Sequence, residues 1–152
     1  VEQDVNINKY VIKFFFAYAL VSVAAFAILY FLDIDANSGV SVAVLIGGAM
    51  YAAGKFLEDN KRMPSKQEKS KLVWLSLFSC WGLSIDSSII IVLAMAGFDG
   101  LLYIYAIFKS MNFLIILGLF MFVSLLYFLI LSWCYGGFAK RQLKTLQKKG
   151  KV

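Results

Sequence analysis

Glu58–Lys71, EDNKRMPSKQEKSK, is the longest continuous hydrophilic stretch before the C-terminal tail, and long apolar runs flank it on both sides. That contrast decides the fold class. The chain has 152 residues, of which 61% are hydrophobic and 16% charged. A soluble domain carries roughly 45–50% apolar and about 25% charged residues. The charges gather at the ends of the apolar runs instead of lining polar faces, as expected when the solvent is lipid. Glu58–Lys71 is then the one substantial loop, 58–71, of a small all-α polytopic membrane protein forming a single transmembrane domain.

Working outward, Gly39–Leu57 precedes the loop and Leu72–Ala96 follows it. Phe14–Leu32 and Phe113–Tyr135 complete four apolar segments. A helix of about 20 residues at 1.5 Å per residue matches a hydrocarbon core of roughly 30 Å, so the expected spans are 14–32, 39–57, 72–96 and 113–135, arranged as two helical hairpins. The first could be confused with a cleaved signal, because lysines precede it and Ala25-Phe26-Ala27 resembles a cleavage site. The apolar run nevertheless continues to Leu32 without a polar break, which favours a permanent helix. The second span is rich in small residues (Ala43, Gly47, Gly48, Ala49, Ala52, Ala53, Gly54), several paired four apart. Such pairs let helix backbones approach in lipid, although glycine is also simply tolerated in membrane helices. This span is the expected packing centre.

The connections are short. In the loop, Ser65 and Glu68 have capping-box spacing and place the start of the third helix there. Asp33, Asp35 and Asn37 alternate like the start of a calcium loop, but Ser38 stands where that loop needs glycine and Val44 where it needs glutamate. A polar turn is the better reading. Gly97 and Gly100 flank Asp99 and read as a turn. Leu101–Phe108 is apolar but too short to cross, and with Tyr103, Tyr105 and Lys109 it reads as an interfacial or re-entrant helix before the fourth span. The tail 138–152 is basic without an acidic residue, and Phe138, Leu143 and Leu146 give it a weak apolar face suited to a membrane surface.

Of the 15 lysines and arginines, only Lys109 falls on the side away from the loop. By the positive-inside rule the expected topology is N-in and C-in, with 58–71 and the tail cytoplasmic. The net charge of +6 therefore points to anionic lipids at the cytoplasmic face of the bilayer, not to nucleic acid. Arg62, Lys140, Arg141 and Lys144 are the candidate contacts to a partner or to lipid, against the plainer reading that such charges only fix topology.

One acid lies at membrane depth. Asp86 sits near the middle of the third span, within Ser84-Ile85-Asp86-Ser87-Ser88 and above Ser79 and Gly82. A carboxylate there costs roughly 2.5–3.5 kcal/mol on the insertion scale, and the spans contain no Lys or Arg to neutralise it apart from Lys55 at the loop end of the second. Its available partners are serines of its own helix, Tyr18, Tyr127, water or another protein. Ser79, Ser84, Asp86 and Ser87 form the candidate polar site, to be weighed against a neutral acid hydrogen-bonded within the bundle.

Nothing in the chain supports an enzyme. There is no histidine, Cys80 and Cys134 lie in apolar segments, and a paired-carboxylate mechanism lacks its second acid at depth. No cofactor or metal is expected.

Lys55-Phe56, followed by Arg62-Met63-Pro64-Ser65 and Glu68, resembles the R-x-P-[ST]-x-x-E loop between the second and third helices of a family of small, uncharacterised four-span inner-membrane proteins of Gram-negative bacteria. The resemblance covers the loop and the four-span layout. It implies location in the bacterial inner membrane and the topology, and it carries no activity. The functional expectation is a non-enzymatic protein acting by protein–protein contact, with another membrane protein or with itself. Such a protein would be an accessory subunit of a membrane complex, or an immunity-type protector against a toxin. The alternatives are a small oligomeric proton-coupled transporter or channel using Asp86, similar in size to four-helix multidrug exporters, and a lipid-organising protein using its tail.

Overall fold

The computed structural model describes residues 5–33 and 38–148, and all the secondary structure among them is helical. Helix α1 spans Ile7–Phe31, α2 Ser38–Asn60, α3 Lys66–Ser110 and α4 Phe113–Trp133. A π-helical turn over Cys134–Phe138 leads from α4 into α5, Ala139–Lys148. Four helices are long and apolar enough to cross a membrane. The Asp33–Ser38 connection, where the calcium-like spacing falls, lies largely outside the described residues, as do Lys149 and Lys151.

Helix α1 begins at Ile7 instead of Phe14. Ile7, Tyr10, Phe14 and Tyr18 are buried and recur every three or four residues, so they form one face. The lysines between them point elsewhere and mask that periodicity in the sequence. Tyr10 meets Phe56, with ring centroids 5.0 Å apart, while Phe14 and Tyr18 lie against Gly48. The contact positions rise along α1 as they fall along α2, so the two helices run in opposite directions. A Cβ on Gly48 would sit 3.3 Å from both the Phe14 ring and the Tyr18 Cβ. The small-residue seam of α2 is therefore used: Ala49, Ala52 and Ala53 are buried, and Gly54 receives the Gln142 side chain of α5. Half of the α2 span is buried, against 11% or less for the spans of the other three helices. Helix α2 is the packing centre.

Helix α3 is a single run of 45 residues broken at one point, Gly97 (φ 60°, ψ −154°). Ser65 caps its start. The expected four-residue turn is thus a one-residue break, and Gly100 is already helical. Both glycines have a physical reason. The Gly97 backbone lies in a region essentially restricted to glycine, and a Cβ on Gly100 would fall 2.7 Å from the Ala96 Cβ and 2.9 Å from Val92 Cγ1. Helix α4 packs on α3 in the opposite direction, through Trp74–Phe128 and Trp81–Phe120 with centroids 5.5 and 4.4 Å apart.

The tail differs from its expected placement. Leu143 and Leu146 pack against the protein's own core, so the apolar side of α5 is spent inside the molecule rather than on a membrane surface. Lys140, Arg141, Lys144 and Lys148 remain exposed.

The core itself is lopsided. Its members cluster around the loop end of the bundle, from Ile7–Tyr18, Val44–Leu57, Leu72–Cys80 and Leu131–Ala139. Beyond it, apolar side chains of α1, α3 and α4 such as Phe26, Ile90 and Phe120 are exposed.

Candidate functional site

The loop organises its charges into three internal contacts. Arg62 grips Glu68 with both arms: Nη1 donates to Oε2 and Nη2 to Oε1, each at 2.8 Å. Glu68 Oε2 also accepts from the Ser65 amide at 2.7 Å, and the Ser65 hydroxyl accepts from the Glu68 amide at 3.3 Å. That completes the capping box expected from the spacing. Arg62 in addition donates to the Met63 carbonyl at 3.1 Å and stands 5.8 Å over the Phe56 ring. The guanidinium hydrogen bonds, set against partial burial, pull the Glu68 carboxyl down to about 2 from its ordinary 4.5.

Asp59 makes the second contact. It accepts from Lys9 at 2.9 Å and from Lys13 and the Tyr10 hydroxyl at 3.3 Å. The Lys9 hydrogen bond, foremost, holds the Asp59 carboxyl below its ordinary value. Asn60 donates to both the Tyr10 hydroxyl (2.8 Å) and the Phe56 carbonyl (2.9 Å). Lys55 pairs with Glu58 at 2.7 Å. The R-x-P-[ST]-x-x-E stretch and the acidic pair before it are thus structural: they close the α2–α3 turn and tie the start of α1 to it. Arg62, a candidate partner contact, is engaged within its own chain.

The polar stripe of α3 divides between two faces. Ser76 is buried and bonded to the Tyr135 hydroxyl at 2.9 Å, and Cys80 is buried below it. These line the bundle interior. Asp86 does not. It is exposed, and among the described residues it has no hydrogen bond or ion pair. Tyr18 and Tyr127 therefore do not hold it. Gly82, one turn before, is exposed with open space where a Cβ would stand. Ser79 lies one turn further back, its hydroxyl donating to the Leu75 carbonyl at 2.9 Å. Ser87 and Ser88 donate likewise to the Leu83 and Ser84 carbonyls. Ser79, Gly82 and Asp86 form an outward-facing strip of small and polar residues at mid-helix. Ser84 and Ser87 instead line a groove of about 370 Å³ between α1 and α3, with Tyr18, Ser22 and Phe26. The four sequence candidates are therefore not one site but two adjoining faces.

Sequence reasoning missed Lys69. It is half-buried and lies over the π turn, with its Nζ 2.8 Å from where a Cβ on Gly136 would be. The Gly136-Gly137 pair was the available signal, since a double glycine at a helix junction marks close approach. No family model, curated protein or solved structure matches the chain.

Proposed function

We propose that the chain is a multi-pass protein of the bacterial inner membrane that works by contact with another membrane protein, through the Ser79–Gly82–Asp86 face of α3. In this reading both ends and the 58–71 loop are cytoplasmic, and the helix after Gly97 lies along the outer interface. The charge bias and the likeness of the loop to four-span inner-membrane proteins support that placement. Accessory subunit and immunity-type protector are the two forms this reading takes.

The observation that carries the proposal is Asp86: a carboxylate at mid-helix, exposed, with no hydrogen bond or ion pair among the described residues. A lipid-facing charge costs roughly 2.5–3.5 kcal/mol, and a partner helix bearing a Lys, Arg or amide group would recover it. The open space at Gly82 lets such a helix come close. The one basic residue inside the four expected spans, Lys55, sits at the loop end of the second and is paired with Glu58, so a basic counterpart at the depth of Asp86 comes from another chain.

Asp86→Leu separates the readings by sign. A contact residue gives a variant at least as stable as wild type after mild detergent extraction but stripped of its co-purifying protein. An acid bonded within the fold gives a destabilised variant. Wild-type chain that purifies alone at every step sinks the proposal. Proton-coupled transport would need Asp86 at an interface between copies, and loss of flux in proteoliposomes carrying Asp86→Asn is its test.

A further inference from the structure

We infer that the corner where α3 starts against the π turn binds a phosphate-bearing lipid headgroup, with Lys69 and Lys140 as its cationic ligands. The inference rests on the membrane placement proposed above but not on the Asp86 reading.

The charge accounting at the loop end is the first support. Its acids within the described residues are Glu58, Asp59 and Glu68, and each is taken, by Lys55, by Lys9 with Lys13, and by Arg62. Among the described residues Lys69 is left without an acid, although it is half-buried. A half-buried lysine without a counter-ion leaves a cation for an anion to meet. Its amine passes over Gly136, Nζ at 2.8 Å and Cε at 3.3 Å from a Cβ placed there.

The face of the helix that Lys69 crosses has the layout of a phospholipid. Leu126, Leu129 and Trp133 are exposed along α4 at spacings that put them on one side. Gly136 and Gly137 continue that side, with Trp133 lying 3.3 Å from a Cβ on Gly137. Lys140 follows one turn later and Lys144 one turn beyond that, both exposed. An acyl chain has an apolar strip to follow, an indole at the headgroup level, and then two cations from different elements, Lys69 from α3 and Lys140 from α5. Basic pockets between helices at the cytoplasmic side suit anionic headgroups. The glycine gap is what lets Lys69 reach this face.

The test uses the full chain in a neutral mild detergent, titrated with dioctanoyl phosphatidylglycerol, dioctanoyl phosphatidylcholine and inorganic phosphate, with binding read by thermal shift and equilibrium titration. Phosphatidylglycerol is expected to bind about tenfold more tightly than phosphatidylcholine. Lys69→Gln and Lys140→Gln should each weaken it several-fold, and Lys69→Arg should retain most of it. Lys61→Gln, which removes a charge at the same end of the molecule away from this corner, should leave it within about twofold. Equal loss in Lys61→Gln, or wild-type affinity in Lys69→Gln, would show a diffuse electrostatic field and overturn the site. Inorganic phosphate binding as tightly as phosphatidylglycerol would overturn the lipid source.

Discussion

Glu68 shares one carboxylate among three donors, the two arms of Arg62 and the Ser65 amide. Removing either side of the clasp leaves the other without its partner, so Arg62→Ala and Glu68→Ala should each destabilise by about 2 kcal/mol, and the double variant by little more than one of them. Full additivity in a thermal-unfolding cycle would show that the two residues act separately. The pH dependence has a definite sign. A carboxyl held at about 2 in the fold, against an ordinary 4.5, contributes stability that is complete above about pH 4.5 and disappears as pH falls toward 2. Glu68→Gln should flatten that part of the acid-unfolding curve. Half of this clasp is legible in the sequence, because Ser65 and Glu68 carry capping-box spacing. Arg62 is not, since it reaches Glu68 around a proline turn that follows no helical period. The Asp59 contacts are still less legible, for Lys9 and Lys13 come from the far end of the first helix.

At the scale of elements, the four apolar helices can be read from run length alone, but their ends cannot. Helix α1 starts early because tertiary burial of Ile7 and Tyr10 outweighs the polar residues between them. Helix α5 turns inward because Leu143 and Leu146 find the core before they find lipid. The pair Gly97 and Gly100 is visible as a breaker, yet the sequence suggests a turn where the structure has a single residue leaving the helix. Gly97→Ala forces a side chain onto a backbone conformation that only glycine holds comfortably, at a cost of about 1–3 kcal/mol. A correspondingly lower unfolding midpoint is expected, and an unchanged midpoint would mean that the break is absent in the membrane.

For the whole molecule, the charge bias predicts sidedness and the helix packing does not, because every contact survives inverting the protein in the bilayer. The measurement is cysteine labelling. Cys80 and Cys134 are both buried, so they are expected to stay silent to a membrane-impermeant maleimide. Cysteine placed at Lys66 or Thr145 should label only after cells are permeabilised, whereas one at Lys109 should label in intact spheroplasts. The reverse pattern would overturn the N-in, C-in arrangement. The candidate site was legible only as a list: Asp86 stands out by composition and its two-residue offset turns it from Ser84, but that Ser84 and not Asp86 faces α1 depends on how α1 and α3 rotate against each other, which no residue spacing encodes.

The lopsided core has a consequence for how the protein meets its solvent. Around the loop, the chain supplies its own interior. Toward the opposite end, the faces of α1, α3 and α4 are left for hydrocarbon to fill, as at the groove of about 370 Å³ beside Ser84 and Ser87. In a bilayer, the lipid chains there behave as ligands of the fold and contribute to its stability by mass action. Chain length and detergent choice should then act on one half of the protein only: the clasped end keeps its slow amide exchange while the other end loosens.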